Sequence, residues 1–234
     1  MVSQLERPAR RKTAAEVAAL FAAFQTANPH PTTELAYGNA YQLLIAVVMS
    51  AQTTDVAVNK ATATFFPQIQ TPQAMLAWGE DNLKAAIRTI GLYQTKAKNV
   101  IALSKLLLER HGGTVPHEMA ALEALPGVGR KTASVVANTL WGAPVVAVDT
   151  HVFRVARRLG LAAATTPDAM AAELPKRIPP AYVRDAHHWL ILHGRYTCRA
   201  IGPRCPQCPV EKMCQSSAKH DATHSNKKII KVVD

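Results

Sequence analysis

Long apolar runs are missing from this chain of 234 residues. The longest, LLIAVVM at 43–49, is far short of the roughly 20 apolar residues that a membrane-spanning helix needs. The opening MVSQLERPARRK also lacks the apolar stretch of a secretory signal. Together these absences lead us to expect a cytoplasmic protein with no membrane contact. Cysteine is scarce and confined: all four lie between Cys198 and Cys214. That distribution does not suit a disulfide framework in a chain of this length, and a metal or metal cluster is the better first reading. Acidic residues are in deficit, 16 against 27 Lys and Arg, for a formal charge of +11. Nearly half of the excess sits at the two ends. Arg7, Arg10, Arg11 and Lys12 oppose Glu6, while Lys219, Lys227, Lys228 and Lys231 oppose Asp221 and Asp234. The remainder belongs to the body of the chain, where polyanions are the natural partners, although a solubilising surface would carry the same sign. Strand-like patterns are rare too, since the only β-like run, PVVAVD at 144–149, has no partner run nearby.

What fills the chain is helical periodicity. Val17, Leu20, Phe21 and Phe24 fall at i, i+3, i+4 and i+7, as do Val152, Val155, Ala156 and Leu159, and Leu83, Ile87 and Ile90 keep one face. Pro72, Gly91, Gly112-Gly113, Pro126-Gly127, Gly142, Gly160, Pro167 and Pro179-Pro180 divide the chain into about a dozen segments of helical length. An all-α fold is expected, without the regular period of a solenoid.

One punctuation point carries chemistry. In LPGVGRKTASVV, Leu125 to Val136, two glycines separate a short predicted helix from a longer one that runs to Gly142. Gly127 and Gly129 would let backbone N–H groups approach an anion at the N-terminus of the second helix, and Arg130 and Lys131 stand beside it. The spacing fits neither a nucleotide-binding P-loop nor the Rossmann fingerprint. A tight helix connection is the plain alternative, and Lys131 could be one more phosphate contact. Further on, in VAVDTHVFRVARRLG, Asp149 stands where a helix N-cap is expected. It could merely cap. An amine and a carboxylate brought to one cleft would equally supply what imine chemistry at a sugar carbon requires. Four thiolates with one Cys-x-x-Cys could bind zinc or an iron–sulfur cluster, and spacing alone leaves both open.

LPGVGRKTA followed by VDTHVFRV resembles the helix-hairpin-helix and Gly/Pro…Asp loop of the endonuclease III family of DNA glycosylases. Cys198, Cys205, Cys208 and Cys214, with six, two and five residues between them, resemble that family's 4Fe-4S cluster loop. LLIAVVMSAQTTDVAVNKAT and TIGLYQTKA extend the resemblance over about residues 14 to 214. It implies two helical lobes with DNA between them: a six-helix lobe at 33–143 carrying the hairpin, and a discontinuous cluster lobe at 1–32 and 144–214. Residues 215–234 are expected to be a basic, flexible tail. The implied activity is base excision repair on duplex DNA with damaged pyrimidines or abasic sites, by a bacterial monomer. In it Lys131 attacks C1′ of a flipped nucleotide, Asp149 assists, and β-elimination nicks the strand.

The resemblance also suggests positions around the chemistry. Gln52 and Leu92 match residues that fill the gap left by the flipped base, Leu92 as an apolar wedge; a leucine packing its own turn is the alternative. Ser50 and Asp55 flank the base pocket. Gly127, Gly129, Arg130, Thr132, His151, Arg154, Arg199 and Arg204 are candidate DNA contacts, whereas His187, His188 and Trp189 read as core. Two other readings stay in view. Adenine-type glycosylases of the same superfamily lack the hairpin lysine and carry an acid in the helix matching LLIAVVM. A non-catalytic DNA-binding or redox-regulatory iron–sulfur protein would have no use for Lys131 and Asp149 together.

Overall fold

A computed structural model of the chain describes residues 9–217. The basic tail at 218–234 and residues 1–8 lie outside that range. The described residues are helical with no strand among them, and PVVAVD is an extended lead-in to a helix rather than part of a sheet. No helix among them is long and apolar enough to cross a membrane.

The chain divides into two compact units, Thr33–Ala143 and a second made of the segment up to Thr32 together with that from Pro144 onward. In the order of the chain, the helices are α1 (Ala14–Ala27), α2 (Ala40–Ser50), α3 (Asp55–Thr62), α4 (Pro72–Trp78), α5 (Glu80–Ala86), α6 (Tyr93–His111), α7 (Met119–Glu123), α8 (Arg130–Trp141), α9 (Thr150–Arg158), α10 (Pro167–Arg177) and α11 (Pro180–Tyr196). Seven of them, α2 to α8, make up the 33–143 unit rather than the expected six. The additional break is Gly79, whose φ of +88° ends α4 and starts α5 at the same residue.

Helix starts follow their local chemistry. Thr13 and Glu16 form a reciprocal capping box on α1. Asn39, Thr54, Thr71 and Thr166 each accept an amide of the first turn through the side chain. In the 33–143 unit, α2 is the central element: every residue from Tyr41 to Met49 is buried, and the helix packs on α3, α6 and α8. That explains why LLIAVVM shows no amphipathic stripe, since a helix surrounded on all sides has no polar face.

In the other unit, α1 buries Val17, Leu20, Phe21 and Phe24 and α9 buries Val152, Val155 and Ala156. α11 packs on both. The close crossing of α9 and α11 depends on Gly194, where a Cβ would stand 2.8 Å from that of His151. Residues 9–12, counted with the basic end by composition, are docked. Ala9 N–H donates to Arg157 O (3.2 Å), Lys12 N–H to Gly160 O (2.9 Å), and Lys12 is only 3% exposed.

Gly160 is where this docking is tightest. Its φ is +66°, and a Cβ there would lie 2.1 Å from the Arg10 carbonyl oxygen. Gly160→Ala should therefore cost roughly 2–4 kcal/mol, combining left-handed strain with a backbone clash. Urea denaturation measures the loss; a variant as stable as the wild type would refute the docking of residues 9–12 on this turn.

Candidate catalytic residues and nucleic-acid interface

The hairpin is built by its apolar flanks. Leu125 and Val128 are buried, and Val128 N–H donates to Leu125 O (3.0 Å) across Pro126 and Gly127. Proline then glycine with φ of +79° at the two central positions matches the requirement of a type II turn. The two glycines serve different ends. A Cβ on Gly127 would stand 2.9 Å from Asn99 Cβ on α6, so this glycine permits packing as well as the turn. Gly129 has open space where its Cβ would be. It is the N-cap of α8, and no side chain caps that helix. The first-turn amides are thus left for an anion, favoured there by the helix dipole. Arg130 and Lys131 are exposed in that first turn and Thr132 is half-buried. Ligand approach, expected of both glycines, is supported by open space only at Gly129.

Two further turns of the same unit are unusual. Gln52 (φ +55°) and Leu92 (φ +60°) are the only non-glycine residues with positive φ among those described. For a residue with a Cβ this is a strained conformation, and such strain concentrates at functional sites. Leu92 is 60% exposed despite being apolar, so it does not pack its own turn. It occupies the N-cap position of α6, which has no side-chain cap. A Cβ on Gly91 would lie 4.0 Å from Gln52 O, which places the two turns side by side. Ser50 ends α2 with its hydroxyl donating to Val47 O (2.8 Å), and Asp55 is the first residue of α3.

In the other unit, Asp149 is the N-cap of α9, with Oδ1 accepting from Val152 N–H (2.7 Å). The carboxylate is half-buried, and its second oxygen takes no part in this cap. The strand-like lead-in is anchored from behind by buried Val146, Ala147 and Val148 and by His187, whose Nδ1 lies 3.0 Å from Ala147 O. His187 and Trp189, which bonds Asn28 O (2.8 Å), thus act in the core. Buried His188, whose Nε2 has no hydrogen-bond partner among the described residues, is pushed towards the neutral form by desolvation.

His151 and Arg154 stand one turn apart on α9, His151 Nδ1 lying 3.3 Å from Arg154 Nη2. Arg154 donates to Gly194 O (2.8 Å) and Cys198 O (3.1 Å), so its guanidinium secures the end of α11. Arg199 folds onto its own loop with Nη2 donating to Gly202 O (2.9 Å), while Arg204 is exposed.

Arg158 is absent from the sequence candidates. It is 5% exposed and donates to Arg199 O (2.6 Å) and Ala200 O (3.3 Å), with Nη1 3.6 Å from Cys198 Sγ. A signal existed: Arg158 lies three residues after Val155, on the same buried stripe as Leu159. His193 is also buried, with its pKa lowered to about 4 by desolvation and its Nε2 3.7 Å from Cys208 Sγ.

The four cysteines are half-buried around two short 3₁₀ turns, Cys205–Gln207 and Glu211–Met213. Burial pushes the Cys208 thiol up to about 11, opposed by the Val210 amide and reinforced by the other three thiols. Cys205 is also raised, first by burial and then by Cys198 and Cys214, with Arg158 pulling the other way. Among the described residues no three thiol, imidazole or carboxylate groups close on a single ion. The neighbouring thiols are nonetheless close enough to Cys205 and Cys208 to disfavour their ionisation, the situation that a shared cationic centre relieves. This donor set, with its buried arginine and its amide, is compatible with an iron–sulfur cluster.

Comparison with known proteins agrees with this geometry. Residues 45–180 match the model of the HhH-GPD superfamily base excision DNA repair proteins. Endonuclease III of Escherichia coli strain K12 is 54% identical over 194 residues, 83% of this chain and 92% of that protein. The enzyme of Haemophilus influenzae is 54% identical over 192 residues, 82% and 91% of the two chains. Among solved structures, a trapped endonuclease III–DNA covalent intermediate with an estranged adenine superposes with a TM-score of 0.82 at 39% identity. The match covers 90% of this chain and 99% of that one. A non-covalent endonuclease III–DNA complex gives 0.82 at 40% identity, with the same coverage. With an exposed lysine after an uncapped hairpin, a capping aspartate, a four-cysteine loop and relatives of this identity, the chain belongs to the endonuclease III family of the HhH-GPD superfamily.

Proposed function

We propose that this chain excises oxidised pyrimidines from duplex DNA and nicks the resulting abasic site, with Lys131 as nucleophile and Asp149 as its carboxylate partner. The observation that carries this reading is Lys131 itself, an exposed amine in the first turn of a helix that no side chain caps. The α8 amides, with Arg130 and Thr132, hold a backbone phosphate, so the neighbouring sugar comes within reach of the lysine. Gln52 and Leu92 occupy the gap left in the stack by the extruded nucleotide.

In the first step the Lys131 amine bonds to C1′ as the bond from C1′ to the base breaks, and the base departs with a proton. Opening of the sugar ring and loss of a proton from nitrogen give the imine. Removal of a C2′ proton then sends its electron pair towards C3′ and breaks the C3′–O bond, releasing the 3′ phosphate. Water hydrolyses the imine and returns the free lysine. Asp149 stabilises positive charge that develops on the sugar and accepts or relays protons. Cys198, Cys205, Cys208 and Cys214 would hold a 4Fe-4S cluster, whose contribution is structural. Its ligation closes the loop that presents Arg199 and Arg204 to phosphate. The cytoplasm is the proposed place of action, a reading that the bacterial relatives support.

Borohydride reduces an imine to a stable amine, so incubation with an abasic-site duplex should leave a covalent protein–DNA adduct. Lys131→Gln should abolish both adduct and nick while DNA binding survives. Undiminished trapping in that variant would exclude Lys131 as the nucleophile.

Asp149→Asn should keep the α9 cap, since asparagine caps as well as aspartate, and leave stability within about 1 kcal/mol. Single-turnover base excision should nonetheless fall by about 100-fold or more. Normal excision would reduce Asp149 to a helix cap.

The purified protein should be yellow-brown with about four irons per chain. Cys205→Ser should lower thermal stability and DNA affinity together. Iron-free protein carrying zinc would refute the cluster.

A further inference from the structure

Lys96 is only 4% exposed. It lies on the buried stripe of α6 with Val100, Leu103 and Leu107, where an apolar residue would ordinarily stand. Its ammonium donates to Met49 O (2.9 Å) and to Thr53 Oγ1 (2.8 Å), two neutral acceptors. Desolvation lowers its pKa from the ordinary lysine value. A well-packed apolar side chain at such a site often costs little stability, and it would avoid burying a charge. Stability alone does not account for a lysine here.

The acceptors indicate what the charge achieves. Met49 belongs to the last turn of α2, whose final carbonyls lack intrahelical partners and carry the negative end of the helix dipole. Thr53 closes the following turn through its N–H to Ser50 O (3.0 Å). The ammonium therefore grips that turn on both sides of Gln52. The same residue's backbone N–H donates to Leu92 O (3.0 Å). One residue thus connects the two strained, left-handed turns, which already lie side by side.

We propose that Lys96 is a positioning residue for base extrusion, locking the Gln52 turn and the Leu92 turn into a single rigid wedge. The inference rests on the reading of Gln52 and Leu92 as the residues that enter the DNA stack. Lys96 need not touch the nucleotide: it acts by fixing where these two side chains begin, and a small misplacement of such groups is costly.

The test uses the full chain with its cluster, under single-turnover conditions, on duplexes with a paired thymine glycol or a preformed abasic site. A 2-aminopurine beside the lesion reports extrusion. Lys96→Met and Thr53→Val should slow excision of the paired base about 10- to 100-fold and suppress the fluorescence rise. Borohydride trapping on the abasic site, where no base needs extruding, should change little. Leu92→Ala should slow excision of the paired base more than trapping on the abasic site, and Lys96→Met combined with it should excise the paired base no more slowly than the poorer single variant, because the two act as one unit. If Lys96→Met fails to fold, Thr53→Val decides, since it removes one anchor at a half-buried position. Wild-type excision by Thr53→Val and by any folded Lys96→Met, with Leu92→Ala defective, would overturn the role of Lys96. Equal slowing on both substrates would overturn it too, as the mark of a merely structural lysine. Wild-type behaviour by all three, Leu92→Ala included, would instead refute the wedge reading itself.

Discussion

An α-helix leaves amides without partners at its start and carbonyls without partners at its end, and an all-helical protein meets this problem at every junction. In this chain the way each helix end is satisfied, or left unsatisfied, determines where chemistry can happen. Thr13, Asn39, Thr54, Thr71 and Thr166 cap the starts of scaffold helices with their own side chains. α8 has no such side-chain cap, which leaves its first-turn amides open beside Lys131, where the proposed phosphate would sit. α9 is capped by a carboxylate, which fixes Asp149 through one oxygen and leaves the other outside the cap.

Carbonyl ends are handled by buried or half-buried cations in both units. Lys96 reaches across from α6 to the end of α2. Arg154 and Arg158 reach from α9 to the end of α11 and the segment after it. A cation on a carbonyl is a stronger bond than a neutral donor would make, and it complements the negative end of the dipole. It also ties two elements together without requiring them to be adjacent in sequence. At the cysteine loop this matters twice, because Arg158 both holds the backbone at 199–200 and lies against the sulfur of Cys198. The half-buried Cys205 thiol, whose ionisation burial and its neighbours disfavour, is drawn the other way by this fixed positive charge, a setting suited to thiolate ligands.

Among the described residues, left-handed backbone is confined to glycines except at Gln52 and Leu92. Such strain is retained only where surrounding contacts over-determine it. The Thr53 amide bond to Ser50, the Lys96 amide bond to Leu92 and the Lys96 ammonium supply those contacts. Holding an exposed leucine on a rigid turn means that its proposed entry into a base stack would require no ordering at the moment of contact. The hairpin uses the opposite means to a similar end. Gly129 has no side chain to obstruct an approaching phosphate, and buried Leu125 and Val128 keep its backbone in place.

Much of this was legible in the order of residues. The stripes Val17-Leu20-Phe21-Phe24 and Val152-Val155-Ala156 are buried as their spacing requires, because a helix turns by a fixed angle per residue whatever surrounds it. The hairpin, the Asp149 cap and the cysteine spacing are likewise local patterns with local causes. Less accessible were features that depend on what lies opposite in space. Gly79 divides a segment left whole by the punctuation at Pro72 and Gly91, and the end of the basic N-terminal segment docks on Gly160. Gly127 is required for its approach to Asn99 as much as for its turn. Arg158 and Lys96 sit on apolar stripes, yet nothing in their neighbours along the chain names the carbonyls that they reach, 41 and 47 positions away. Sequence by itself determined where helices start, which face each one buries and which residues stand at the ends. Tertiary structure decided which of those ends are capped by distant cations and which stay open, because a hydrogen bond depends on a distance in space that chain spacing does not encode.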